Sequence, residues 1–332
     1  MKDLVSVLEE KENSIFPNRV YPALKKISDL SKGENNHQKA AFYRTLLSTM
    51  EPCIVNAKQL QGKELSYNNV LDADYAIEAI KDFDSPTCII IKHATCCGIA
   101  SNSDLLQAWK NAFATDIYSP FGGIVIFNRE VNMFVAQELS KYFLEIVIAP
   151  SFSNKALEIF GQKKKLRLLL VKGLDRKIPR EEIEYRPVTG GYIAQTRDIQ
   201  KIDSTNWKTV TKKKPTFEDI ATMQFAVKCV KNVKSNSIVY VKECQTVGIG
   251  GGQTARVDAA WIGSKKGGEN IIGSTMASDA FFPFRDSVDE AAKAGVRAIV
   301  QPGGSIRDQE SIEAADENEI IMVFTGRRYF KH

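Results

Sequence analysis

The segment Cys88-Ile89-Ile90-Ile91-Lys92-His93 limits the options of this chain more than any other. Three successive isoleucines are too short a run for an exposed helix and suit a strand covered on both faces. The strand breaks off at Lys92-His93, and the small residues that follow predict a turn closing on Gly98. An amine and an imidazole therefore stand at the carboxyl edge of a buried strand, where the loops of open α/β sheets diverge and leave a ligand crevice. The sequence has only three histidines, His37, His93 and His332, so one beside a lysine at such an edge draws notice. Alone, such a pair after a strand is more often a solvated strand end.

Elsewhere the apolar pattern alternates between helix and strand, which is the α/β class. Helices are predicted over 72–81, 105–114 and 134–141, and after a Thr216 cap with Asp219 three residues on. Strands are predicted at Ile124–Phe127, at 146–149 ahead of Pro150, and at Leu166–Val171, Ile238–Val241 and Ile320–Phe324. Residues 1–25 read as an amphipathic opening segment, and the lysine-rich stretch 198–215 as an inter-domain connection. The two halves also echo each other. TDIYSPF and SDAFFPF share an aspartate (Asp116, Asp279) ahead of Pro-Phe (Pro120-Phe121, Pro283-Phe284), and each precedes a strand ending in proline, IVIAP and AIVQP. Read as a duplicated α/β unit, this predicts a cleft between equivalent edges, with Asn236 in the place that Lys92-His93 holds in the first half.

Bulk properties mainly exclude. A length of 332 residues suits two domains. No apolar run approaches the ~18 residues of a membrane span, and the acidic N-terminus is no signal peptide. Six scattered cysteines without a CxxC pair fit free thiols in a reducing cytoplasm. A net charge of +5 suits an anionic small molecule without specifying one, and no arginine stripe interleaved with aromatics points to nucleic acid.

Gly248–Asp258 is glycine-rich but is neither a Walker loop nor a dinucleotide fingerprint. Its glycines are expected to let backbone approach a ligand or a packed neighbour, with Arg256 projecting from the far end. Lys163-Lys164-Lys165 reads as a solvated face, and FTGRRYFKH follows an apolar strand that could tie it down. Taken in order, the Lys-His edge, SPFGG–FNREV, EIVIAP, the lysine triplet, VKSNSIV, VGIGGGQTARVD, SDAFFPFRDSVD, VQPGGSIRD and FTGRRYF resemble one family. It is the AICAR formyltransferase part of bifunctional purine-biosynthesis proteins, and the likeness runs from about Phe16 to His332.

That resemblance implies two cytidine-deaminase-like three-layer units in tandem, residues 1–197 with the N-terminal segment and residues 198–332. It implies a homodimer with shared active sites, and formyl transfer from 10-formyltetrahydrofolate as cosubstrate to the 5-amino group of AICAR. No catalytic metal is implied; a structural K+ is compatible. A separate IMP cyclohydrolase, standing for the domain that usually precedes this part, is a compatible partner. The AICAR amine is a weak nucleophile, its lone pair being drawn into the ring, so the step needs a base and a cation for the oxyanion. By resemblance His93 is the base, Lys92 the cation, and Asn236 a hydrogen-bonding partner of the reacting centre. Lys32, Gly122, Glu145, Lys165, Phe281 and Arg328 fall to AICAR, and Arg256, Pro283 and Asp286 to the folate.

Two departures stand out. Ser31 and Lys32 replace an arginine and a tyrosine of the family pattern, so altered nucleotide binding is expected, since lysine lacks the bidentate geometry of arginine. Cys96 stands where the family turn usually has proline, predicting a looser loop. A zinc deaminase would need a glutamate two residues after His93 and a PCxxC, and has neither. A non-catalytic purine-nucleotide or folate-binding paralogue would not need Lys92, His93 and Asn236 together.

Overall fold

The computed structural model describes residues 15, 16, 18–46, 49–176 and 183–332, so most of the amphipathic opening segment (1–14 and 17) lies outside the described residues. β1 (Leu24–Leu30) and β2 (Ala40–Thr45) form a hairpin apart from the main sheet. Then come β3 (Lys58–Gln61), α1 (Tyr67–Ile80), β4 (Thr87–Ile91), β5 (Cys96–Ser101), α2 (Leu105–Ala114), β6 (Ile124–Phe127), α3 (Met133–Leu139), β7 (Ile146–Ala149), α4 (Asn154–Gly161) and β8 (Arg167–Leu170). A second separate hairpin, β9 (Ile183–Val188) and β10 (Gly191–Thr196), is followed by β11 (Lys208–Thr209). The chain closes with α5 (Phe217–Lys231), β12 (Ile238–Lys242), β13 (Gln245–Gly250), α6 (Arg256–Gly267), β14 (Thr275–Ser278), α7 (Asp286–Lys293), β15 (Ala298–Gln301), α8 (Asp308–Glu317) and β16 (Ile321–Phe324).

The architecture is α/β. A 12-stranded sheet runs β11-β16-β15-β14-β12-β13-β5-β4-β6-β7-β8-β3. Side chains alternate between its faces, as strand geometry requires. Ile89, Ile91, Val239 and Val241 pack with α1 and α5, whereas Ile90 and Cys88 face α2 and α3, and Tyr240 and Ile238 face α6 and α7. All five residues of β4 are buried, as the isoleucine run demands.

Read outward from the centre, each half of the sheet repeats a plan. β5 and β4 form a hairpin, β6 adds antiparallel to β4, and β7 and β8 follow in parallel. β13, β12, β14, β15 and β16 do the same. The duplication is therefore present, but not in the register that the Asp-Pro-Phe echo suggested. Residues 116–121 join α2 to β6, while 279–284 join β14 to α7. One segment leads into a strand and the other out of one, and both lie at the same edge of the sheet. IVIAP and AIVQP do correspond, as β7 and β15.

The hairpin turns align Lys92-His93 with Lys242-Glu243, and both His93 and Glu243 have positive φ (55° and 50°). Because β13 meets β5 antiparallel, equivalent edges of the two repeats face opposite ways. No cleft forms between equivalent edges, contrary to expectation. Instead one edge collects the carboxyl end of β4 and the amino end of β12. Asn236 thus shares an edge with Lys92-His93 without being their counterpart.

Three further differences have local causes. The small residues after His93 do not turn as far as Gly98. The turn ends at Thr95, whose carbonyl accepts from the Lys92 amide at 3.0 Å, and β5 begins at Cys96. Gly98 is needed because a Cβ there would lie 2.0 Å from the Ala112 carbonyl of α2; Gly250 meets Ala259 of α6 at the same distance. Gly248, Gly250 and Gly251 of the second half therefore admit a packed neighbour. Next, α1 starts at Tyr67 rather than near Asp72, since Ser66 and Asn69 form a capping box, a device worth about 1 kcal/mol. The expected Thr216–Asp219 box heads α5, and Asp219 also takes Arg297 at 2.9 and 3.0 Å. Finally, 198–215 is no free linker. Ile202 and Trp207 pack on the core and β11 pairs with β16.

Candidate functional site

The edge that carries Lys92 also carries the amino ends of β6, β7 and β8, the carboxyl ends of β13 to β16, and the loop ahead of β12. The candidate catalytic and ligand residues expected from the sequence lie along it. They do not all meet. Strands stand roughly 4.8 Å apart, so β6 and β14, five places apart, are separated by about 24 Å within one chain.

At the centre is a cavity of about 250 Å³ lined by Lys92, His93, Thr95, Cys96, Cys97, Asp116, Gln253 and Lys266, among others. Lys92 Nζ donates to the Phe121 carbonyl at 2.6 Å, which fixes the ammonium at the mouth of the β6 loop. His93 is exposed, and its turn is held from beneath by α1: the Asp72 carboxylate accepts from the His93 amide at 3.3 Å and the Ala94 amide at 2.7 Å. Asp116 accepts from the Tyr118 and Ser119 amides and from Lys266 at 2.9 Å. Burial works against the charge of Asp116, but the Ser119 bonds and Lys266 outweigh it and hold the carboxyl below its usual range. Burial pushes the Cys96 thiol up to about 12 and raises Cys97 as well, so neither wall cysteine is a thiolate nucleophile.

Asn236 backs this cavity without lining it. Its Nδ2 donates to the Gln253 and Thr254 carbonyls, both at 3.0 Å, and its Oδ1 accepts from Arg256 at 2.8 Å. Arg256 does not project, as the sequence suggested. Its guanidinium is buried, donating to Ser278 Oγ at 2.9 Å and Asp279 Oδ1 at 2.7 Å. The C-terminal tail is tied to the same loop: the Ser235 amide donates to the Lys331 carbonyl and the Lys331 amide to Ser235 Oγ, each at 3.0 Å.

Toward β8, the Gly122 amide donates to Phe143 and the Glu145 amide to Gly123, while Arg167 Nη1 donates to Glu145 Oε2 at 2.5 Å. Lys165 is exposed, consistent with a solvated face. Lys32 donates to Asn36 Oδ1 at 2.9 Å in the β1–β2 connection, which reaches the edge through the amino end of α1. Toward β16, Phe281 and Pro283 are exposed, Asp286 opens α7, and Arg328 stacks on Phe330 at 4.4 Å. A larger cavity, about 480 Å³, lies at the opposite edge, but two of its lining cations are already paired, Lys81 with Glu51 and Lys231 with Asp82. Among the described residues no group of three His, Cys, Asp or Glu could hold a metal.

Residues 2–266 match the family model described as AICARFT/IMPCHase bienzyme. The chain belongs to this family. Among relatives, the bifunctional purine biosynthesis protein PurH of Acetivibrio thermocellus is 50% identical over 317 residues, 96% of this chain and 62% of that protein. PurH of Magnetococcus marinus is 45% identical, with 96% of this chain and 62% of the relative covered. PurH of Caldicellulosiruptor saccharolyticus is 48% identical, with 96% and 61% covered. The chain thus spans about three-fifths of the length of these relatives.

Sequence reasoning passed over Asp72, Gln253, Lys266 and Arg167 in this AICARFT/IMPCHase member. Asp72 looked like an ordinary polar position on a helix. Arg167 was hidden inside an apolar strand, where a buried arginine itself signals a partner. Gln253 stood unmarked inside the glycine-rich stretch 248–258 and no local pattern marks Lys266; their place at this cavity follows from the pairing of β13 with β5.

Proposed function

We propose that the chain transfers a formyl group from 10-formyltetrahydrofolate to the 5-amino group of AICAR, giving FAICAR, in purine biosynthesis. The observation that carries this is the placement of Lys92 and His93 on one cavity of a member of this family. The exposed His93 imidazole takes the proton of the attacking amine, and Lys92, held by Phe121, faces the oxyanion. Asn236 acts from the loop behind; reaching the reacting centre would exchange one of its bonds to Gln253 or Thr254.

In this reading each half is a cytidine-deaminase-like unit, divided near residue 197. Gly122 and Glu145 approach AICAR from one side, with Lys32 and Lys165. Phe281 and Arg328 serve the same nucleotide, and Pro283 and Asp286 the folate, while Arg256 orders Asn236. Because the β6 and β14 ends are about 24 Å apart, one nucleotide touching both sets draws them from two chains. That supports a homodimer. The separate hairpins expose Leu24, Ile27, Tyr43, Tyr185, Tyr192 and Ile193, apolar surface suited to a second copy.

For the K+ that the resemblance allows, the residues that would hold it are Asp279 and Ser237, whose Oδ2 and Oγ are buried without a hydrogen-bond partner beneath the Asn236 loop. The cysteines of the described residues are free thiols, which suits the cytoplasm, and no described helix is long and apolar enough to cross a membrane.

Purified protein given AICAR and 10-formyltetrahydrofolate should produce FAICAR, and formate with ATP should not replace the folate. Absence of product with the folate donor would sink the reading. Restoring the family residues by Ser31→Arg with Lys32→Tyr should tighten AICAR binding about tenfold, as a charge-assisted hydrogen bond predicts. Calorimetric titration decides this, and unchanged affinity would place those residues away from the nucleotide.

A further inference from the structure

We propose that Asp72 is the positioning residue of the His93 base, a role that rests on the function just proposed. The turn that presents His93 places two non-glycine residues in the left-handed region, His93 at φ 55° and Ala94 at φ 51°. Side chains with a Cβ disfavour that region, so something must hold the turn. The Asp72 carboxylate does so by accepting from both residues' amides, at 3.3 and 2.7 Å.

The other repeat supplies a comparison within the same molecule. Its equivalent hairpin turn bears Lys242-Glu243, with positive φ at Glu243 but not at Cys244. Among the described residues no carboxylate accepts from either amide there, and Thr222 stands on α5 where α1 has Asp72. A hairpin of this kind therefore forms without an acid under it. The carboxylate belongs to the edge that presents an imidazole.

Asp72 is half-buried and comes from α1, a rigid helix packed on β4, so it fixes the direction in which the His93 side chain leaves the turn. The charged groups that face it from other elements are His93 and Lys234, the latter from the loop that carries Asn236. Around His93 the cavity adds Lys92, Asp116 and Lys266. One carboxylate thereby sits between the turn of the base and the loop ahead of β12, and its negative charge favours the imidazolium that forms when the base takes a proton.

The test is Asp72→Asn, which keeps size but removes the charge and can accept only one of the two amides, with Asp72→Glu as the charge-retaining control. Turnover is expected to fall 10- to 30-fold in Asp72→Asn with KM for AICAR within twofold. The chain's three histidines make their ring signals countable by NMR, and His93 is assigned with a His93→Asn sample. The His93 titration should move to lower pH in Asp72→Asn, while His37 and His332 stay in place. Asp72→Glu should recover the titration. An unmoved His93 titration, or a turnover loss that follows Tm, overturns the inference. The NMR arm needs no turnover. If His93→Asn leaves formyl transfer intact, the base assignment fails instead, and the two failures are distinct.

Discussion

His93→Asn should lower kcat for formyl transfer by about 10²- to 10⁴-fold, the usual worth of a positioned general base, and leave Tm within about 2 °C. Asparagine is the informative replacement. His93 lies at φ 55°, a region that asparagine visits more readily than alanine, so the turn survives the change. Both bonds from the turn to Asp72 are made by backbone amides and are retained. The ring is exposed, so little packing is lost. Steady-state kinetics with thermal unfolding on the same samples separate chemistry from folding. A kcat within threefold of the parent would remove His93 from the mechanism. It would leave Lys92, whose ammonium is held on the Phe121 carbonyl at 2.6 Å, as an electrostatic element without a base beside it.

That the site could be read from sequence at all follows from the strand before it. Ile89–Ile91 can only be an interior strand, and whatever ends such a strand is presented at a sheet edge. α2 and β6 were equally legible, because a helix with a continuous apolar face and a four-residue apolar strand leave little choice. The glycine-bearing strands β5 and β13 were not. Their residues are chosen for closeness to a helix, which erases the β-branched signature. Register between the repeats was invisible for another reason. It depends on β5 meeting β13 antiparallel, a pairing between residues far apart in the chain with no local mark. Hence Lys92-His93 and Asn236 were placed on one edge for a mistaken reason, with Asn236 taken as the counterpart of Lys92-His93 instead of its neighbour across the seam. The same blindness explains Arg256. Ahead of a helix it looks like a free side chain, and only the fold of β14 brings Asp279 to it.

The Arg256–Asp279 pair is where the second large effect is expected. Asp279→Ala should destabilise the fold by about 3–5 kcal/mol, read as a fall in the denaturant midpoint with little change in slope. The side chain of Asp279 is 0% exposed and that of Arg256 7%, so removing the acid strands a guanidinium out of reach of water. Attraction between two such groups does not by itself stabilise a protein, since both were desolvated to make it. The cost appears when one partner is left alone. Arg256→Met with Asp279→Leu should therefore recover much of the loss while still lacking the bond that Arg256 makes to Asn236 Oδ1. The double variant is the more telling of the two: refolded but slow, it would say that Arg256 serves the Asn236 loop, and refolded with parental kcat, that the pair serves only the joint between α6 and β14. A midpoint unchanged in Asp279→Ala would mean that the guanidinium finds solvent when its partner goes. The buried latch would then contribute nothing to stability.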